Sequence, residues 1–168
     1  MTSAFEVEFE KFWAQTSGRI SAFMFCACES RADTDDLVQE CYLRALRGWG
    51  QFSGRGSRQA WLFRIAQRTR ADYFRQKRKN EPVAHLQSTS ELGTGLKESS
   101  MDRTETVWEA VKSLDNKQGE VIHLRFAAGL GYLDIAEALG IPVGTVRSRL
   151  HRALKTIRQK IEGRTNET

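Results

Sequence analysis

Gly131-Tyr132-Leu133-Asp134-Ile135-Ala136-Glu137-Ala138-Leu139-Gly140-Ile141-Pro142-Val143-Gly144-Thr145-Val146-Arg147-Ser148-Arg149-Leu150-His151-Arg152-Ala153-Leu154-Lys155 reads as two short helices joined by a tight turn. In the first, Ile135, Ala136 and Leu139 recur at helical spacing, and Gly140 stands where a left-handed residue ends a helix. Pro142 is expected to open the second helix, where its missing N–H costs nothing. Stepping about 100° per residue gathers Val143, Val146, Leu150, Ala153, Leu154 and Ile157 into one apolar arc. Thr145, Ser148, Arg149, His151, Arg152 and Lys155 occupy the opposite arc, with Arg147 toward its edge. Arg can take guanine O6 and N7 in a major groove, while hydroxyls and Lys take phosphates, so this face suits DNA reading. The alternative is a surface helix whose basic face is merely solvated.

The chain has 168 residues, of which 40% are apolar, enough for one ordinary domain or two small ones. No apolar run approaches the ~20 residues of a membrane span, and Met1 to Lys11 is acidic rather than a basic leader followed by an apolar core. A cytoplasmic protein without membrane insertion is expected. The cysteines, Cys26, Cys28 and Cys41, are too few for a disulfide framework. Cys26 and Cys28 diverge by about 200° around a helix and cannot easily share a metal, so they read as buried thiols, with a redox or metal role as the alternative.

The net charge of +5 conceals an asymmetry. Residues 1–40 hold eight Asp/Glu against three Lys/Arg, whereas residues 64–79 hold seven Lys/Arg against Asp72 alone. A second basic run of six, without an acid, spans residues 141–160. Two basic patches imply two contacts with a polyanion, and the acidic front implies a protein partner.

Residues 81–101 are rich in Ser, Thr and Gly and lack a sustained apolar period, which marks a linker. Both flanks show helical patterning without alternating strands. The predicted fold is therefore all-α, with two small helical domains, residues 1–79 and 103–168, joined by residues 80–102. A flexible linker of this length has an r.m.s. span on the order of 25 Å and extends to twice that, enough to reach DNA sites more than one turn apart.

In the first domain, a helix is expected over Glu6 to Cys28, with Phe5, Phe9, Phe12 or Trp13, Ile20 and Phe23 as its core stripe. A second is expected from an Asp or Thr cap within Asp33-Thr34-Asp35-Asp36 to Gly48, with Leu37, Val38, Cys41, Leu43, Ala45 and Leu46 apolar. A third runs from Ser57 to Lys79, with Leu62, Ala66, Thr69 and Tyr73 on one face and Arg64, Arg68 and Arg75 on another. The intervening Gly48-Trp49-Gly50-Gln51-Phe52-Ser53-Gly54-Arg55-Gly56-Ser57-Arg58 mixes glycines, aromatics and arginines. Such a loop can hold unstacked bases and neutralise a single-stranded backbone. The alternative places Trp49 and Phe52 in the core, closing the helix junction.

Three blocks in order, Asp33-Thr34-Asp35-Asp36-Leu37-Val38-Gln39-Glu40, Arg58-Gln59-Ala60-Trp61-Leu62-Phe63-Arg64-Ile65-Ala66 and Thr145-Val146-Arg147-Ser148-Arg149-Leu150-His151-Arg152-Ala153, resemble the group IV, or extracytoplasmic-function, sigma factors of the sigma-70 family. The resemblance covers essentially the whole chain. It implies that the first domain is sigma region 2 and the second region 4. It implies that Asp35, Asp36, Gln39 and Glu40 dock on the β′ clamp helices of core RNA polymerase and that region 4 also meets the β flap. Phe52, Ser53 and Arg55 of the loop, with Arg64, Arg68 and Arg75, correspond to the part that opens and holds the −10 element of promoter DNA. Thr145, Arg147, Ser148, Arg149, His151, Arg152 and Lys155 correspond to the −35 reader, His151 at a position bearing on promoter choice. An anti-sigma factor is the further implied partner; no cofactor, metal or covalent chemistry is implied.

Two positions depart from the family pattern. Gly131 and Asp134 stand where Ser and Glu would form a reciprocal cap, which weakens the helix start by a few tenths of a kcal/mol. Thr34-Asp35 replaces Ala-Glu, keeping the charge on a shorter reach. Rival readings are a two-component regulator, which would need a receiver of alternating strands and helices, and a metal or redox enzyme using Cys26, Cys28, Cys41, His85 and His123, which lie on scattered segments.

Overall fold

In a computed structural model, the described residues are 4–26, 28, 30–54, 56–80 and 101–165. They form helices and turns, with no strand among them, which removes the receiver-type alternative. Two compact helical units result.

The first unit begins with α1, Ala4–Phe25, whose buried Phe9, Thr16, Ile20, Phe23 and Met24 follow a helical stripe. Thr16 returns its hydroxyl to the Phe12 carbonyl at 2.8 Å, so the buried oxygen is satisfied within its own helix. Phe5, expected in the stripe, is 41% exposed. The helix also stops before Cys28, because Ser30 is extended (φ −132°, ψ 154°) and caps the next helix.

That helix, α2, spans Arg31–Gly48, and the Asp33 N–H donates to Ser30 Oγ at 3.1 Å. The cap expected within Asp33-Thr34-Asp35-Asp36 is therefore corrected to Ser30. Asp33 falls instead in the first turn, where its charge still meets the positive helix end. Thr34, Leu37, Cys41 and Ala45 form the buried stripe. A single 3-10 turn, Trp49–Gln51, follows. Helix α3, Arg58–Asn80, buries Ala60, Leu62, Phe63, Ala66 and Thr69 against α1 and α2.

Aromatic rings close this unit. Phe9 lies 5.4 Å from both Tyr42 and Trp49, Phe12 stacks on Trp49 at 5.2 Å, and Phe23 meets Phe63 edge-on at 5.7 Å. These offset and edge contacts are the favoured ring geometries, and they tie α1 to α2 and the 3-10 turn near its start and to α3 near its finish.

In the second unit, α4 (Met101–Lys112) and α5 (Asn116–Ile122) precede α6 (Tyr132–Leu139) and α7 (Val143–Thr165). Asp115 caps α5 by accepting from the Gln118 N–H at 2.8 Å. α5 runs into a π turn, His123–Ala127, where the His123 carbonyl accepts from the Ala128 N–H at 3.0 Å. Gly129 then adopts φ +64°. The wider turn buries Leu124, Ala128 and Leu130 while leaving Phe126 62% exposed. α7 packs on α4 and α5.

Candidate nucleic-acid interface

The turn between α6 and α7 sets the position of the basic helix. Gly140 has φ +64°, and the Ile141 N–H reaches back to the Ala136 carbonyl at 3.0 Å, a closure that needs a left-handed residue between them. Pro142 lies just before α7 rather than within it. Its carbonyl accepts from Thr145 at 2.9 Å and Val146 at 3.2 Å, so it serves as the cap residue.

Val146, Leu150 and Ala153 form the buried side of α7. Leu154, expected on that side, is 47% exposed. Burial centres between Leu150 and Ala153, and Leu154 stands about 70° off that centre. Arg147, His151, Arg152 and Lys155 are exposed on the other side, while Thr145, Ser148 and Arg149 are half-buried. The Ser148 hydroxyl donates to the Thr145 carbonyl at 3.0 Å and keeps its lone pairs for an incoming donor. The cations at the centre of this face are thus presented by a helix whose opposite side is locked.

On α2, Asp35, Asp36 and Gln39 are exposed on one face and Glu40 is half-buried. Glu40 accepts from Arg44 Nε at 2.6 Å, and Arg44 Nη1 donates to Asp72 on α3 at 2.7 Å. Arg75 reaches the other Asp72 oxygen at 3.3 Å. The hydrogen bond from Arg44 holds the Asp72 carboxyl below its ordinary value, and Asp72 and Glu40 in turn raise Arg44. Arg75 is thereby partly neutralised by its own helix, a constraint invisible in a count of basic residues.

In the loop, Phe52 is half-buried and Ser53 exposed; Arg55 lies outside the described residues. The Phe52 N–H donates to the Trp49 carbonyl at 3.2 Å, which turns the ring onto Trp61 at 5.6 Å. Trp49 is buried, 5.9 Å from Trp61. Trp49 is therefore core, and Phe52 is a rim residue held by the core. On α3, Arg68 and Arg75 are exposed and Arg64 half-buried. Sequence reading missed Trp61 as the support of Phe52 and Arg58 as a cation over both Trp49 and Phe52, at 5.0 and 6.0 Å. Only the position of Arg58, at the junction of loop and helix, could have drawn attention to it.

Burial pushes the thiols of Cys26 and Cys28 up and that of Cys41 to about 12. The protonated thiols are poor nucleophiles at neutral pH. Among the described residues, no three His, Cys, Asp or Glu are grouped to hold a metal ion; His85 lies outside them. No helix among them is long and apolar enough to cross a membrane.

Residues 14–80 match the family model for sigma-70 region 2, and residues 104–157 match that for sigma-70 region 4. The ECF RNA polymerase sigma-E factor of Haemophilus influenzae is 30% identical over 171 residues, covering 95% of this chain and 88% of the relative. The factor of the same name from Escherichia coli is 32% identical over 142 residues, 77% of this chain and 74% of the relative. Among solved structures, the sigma factor RpoE in complex with the anti-sigma factor NepR from Bartonella quintana is similar with a TM-score of 0.75 at 22% identity, covering 92% of this chain and 97% of that one. CnrH in complex with the cytosolic domain of CnrY gives 0.70 at 21% identity, with 92% and 88% covered. At these identities the structural likeness carries the fold alone.

Proposed function

The chain belongs to the sigma-70 family, in its extracytoplasmic-function group, and serves as an alternative, non-enzymatic sigma factor in transcription initiation; from that premise we propose how its parts divide the work. Residues 1–79 act as region 2, residues 103–168 as region 4, and residues 80–102 as the tether. The acidic face of α2, with Asp35, Asp36, Gln39 and Glu40, docks on the β′ clamp helices of core polymerase, and region 4 engages the β flap. Arg147, Arg149, Arg152 and His151 on α7 read the −35 element, assisted by Thr145, Ser148 and Lys155. Phe52, Ser53 and Arg55, with Arg64, Arg68 and Arg75 on α3, capture the opened −10 strand.

This arrangement does physical rather than covalent work. Polymerase alone holds DNA through phosphates, which carry no sequence information. Base contacts from α7 supply that information, and a ring that receives a splayed base lowers the cost of unpairing. The observation that carries the reading is the coexistence on one chain of an exposed acid face, at Asp35, Asp36 and Gln39, and an exposed basic helix face, at Arg147, His151, Arg152 and Lys155. An anti-sigma factor that covers these faces is the further partner, as the fold relative RpoE is in complex with the anti-sigma factor NepR. Action in the cytoplasm follows from the role.

Permanganate oxidation of unpaired thymines tests the division of labour. With Phe52→Ala, holoenzyme should still form a closed complex but lose −10 reactivity on duplex DNA, and a pre-melted bubble should restore most transcription. Normal reactivity on duplex DNA would remove the melting role from the loop.

A further inference from the structure

Arg58 opens α3 where the aromatic loop ends, and its Nη1 donates to Glu8 Oε1 on α1 at 2.7 Å. Both side chains of the pair remain about half exposed, at 48% and 56%. The guanidinium carbon lies 5.0 Å from the Trp49 ring centre and 6.0 Å from that of Phe52, whose other neighbour is Trp61 at 5.6 Å. Phe52 thus has a half-buried ring and a guanidinium as neighbours. An exposed ion pair of this kind contributes little to folding, and the guanidinium over Trp49 and Phe52 stays about half exposed, open to a further acceptor.

Resting on the reading of the loop as a single-strand site, we infer that Arg58 is a further binding residue of that site, taking the phosphate beside an unstacked nucleobase in single-stranded DNA. Glu8 holds the guanidinium in the free chain and yields it to that phosphate. A carboxylate and a phosphate offer the same pair of acceptor oxygens to the planar fork of Arg, so the exchange needs no new geometry. The guanidinium plane also restrains the Phe52 ring, so that base and phosphate meet a surface already arranged for stacking. Glu8 meanwhile repels other backbones, which makes occupation conditional on a strand whose base also enters.

The sign of the Glu8 effect separates this role from simple bracing. The full chain is bound to core polymerase and titrated with a short fluorescent oligonucleotide, the −10 non-template strand of a promoter that the holoenzyme transcribes. Arg58→Ala should weaken binding on the order of three- to tenfold and reduce the magnitude of the salt slope by about 0.7, the share of one phosphate on a single strand. Arg58→Lys should keep the slope while losing part of the affinity. Glu8→Gln, which removes the competitor, should tighten binding about two- to fivefold, and the gain should vanish when combined with Arg58→Ala. If Arg58 only braced α1 against the loop, Glu8→Gln would weaken binding or leave it unchanged, and the inference would be overturned. Phe52→Ala distinguishes the two levels: if it weakens capture while the Arg58 and Glu8 variants do not, only the Arg58 assignment fails. If Phe52→Ala has no effect, the single-strand site itself fails and takes this inference with it.

Discussion

Arg44 on α2 donates to Asp72 on α3 at 2.7 Å, and Asp72 is the one acid among the seven Lys/Arg of residues 64–79. Because Arg44 also holds Glu40 at 2.6 Å and Asp72 also meets Arg75 at 3.3 Å, a chain of alternating charge joins the proposed polymerase face to the proposed −10 face. The acid within the basic helix is therefore a packing element for its neighbours, rather than an unexplained flaw in a DNA-binding stripe.

The pH dependence of this tie has a definite sign. The carboxyl of Asp72 is lowered from its ordinary 3.8, chiefly by the Arg44 hydrogen bond. Its contribution is present above the unfolded value and disappears as pH falls through the folded one. Asp72→Asn should lower the unfolding midpoint at pH 7, and the gap from the natural chain should narrow below pH 3.8. Thermal melts followed by circular dichroism across that range check it; a gap that widens on acidification would contradict it.

On α2, Asp36 is exposed, whereas Glu40 already has Arg44 as partner. Asp36→Lys should therefore reduce affinity for core polymerase about tenfold while changing stability by no more than about 0.5 kcal/mol. Glu40→Lys should lower affinity and stability together, since it sets a cation against Arg44. Titration of fluorescent core polymerase, paired with chemical denaturation, separates the two effects.

Arg152 stands exposed near the centre of the outer face of α7. Arg152→Ala should cost on the order of 1 to 3 kcal/mol on the preferred promoter and relax selection at one base position. Selection from randomised −35 sequences gives the readout. An equal loss on every sequence would make Arg152 a phosphate contact.

Gly140 takes φ +64° in open space, so a side chain there meets strain and no clash. Gly140→Ala should destabilise the second unit by about 1 to 2 kcal/mol, and Gly140→Asn by less. Denaturant unfolding of the full chain checks the order.

The helical pattern of α7, the Gly140 turn and the basic stripe of α3 were legible because each is written in residues close in sequence. Ser30 was missed as a cap because the neighbouring Asp33, Thr34, Asp35 and Asp36 are all competent to cap, and composition cannot choose among them. The π turn at His123–Ala127 leaves no mark in a 3.6-residue period; its only local sign is the Gly129 that follows. Trp61 under Phe52 and Glu8 on Arg58 join residues separated along the chain, and amphipathic spacing does not specify which rings or charges meet. Arg75 and Asp72, by contrast, stand three residues apart on one helix, a spacing that brings their side chains together and pairs an arginine expected to face DNA with an acid.

The central claim is that this chain confers promoter choice on core polymerase, and in vitro transcription with core polymerase and a pool of promoter fragments tests it most directly. With the chain present, sequenced transcript starts should gather downstream of one shared pair of −35 and −10 elements, and Arg152→Ala and Phe52→Ala should each deplete that class. The same starts from core polymerase with and without the chain would contradict the account.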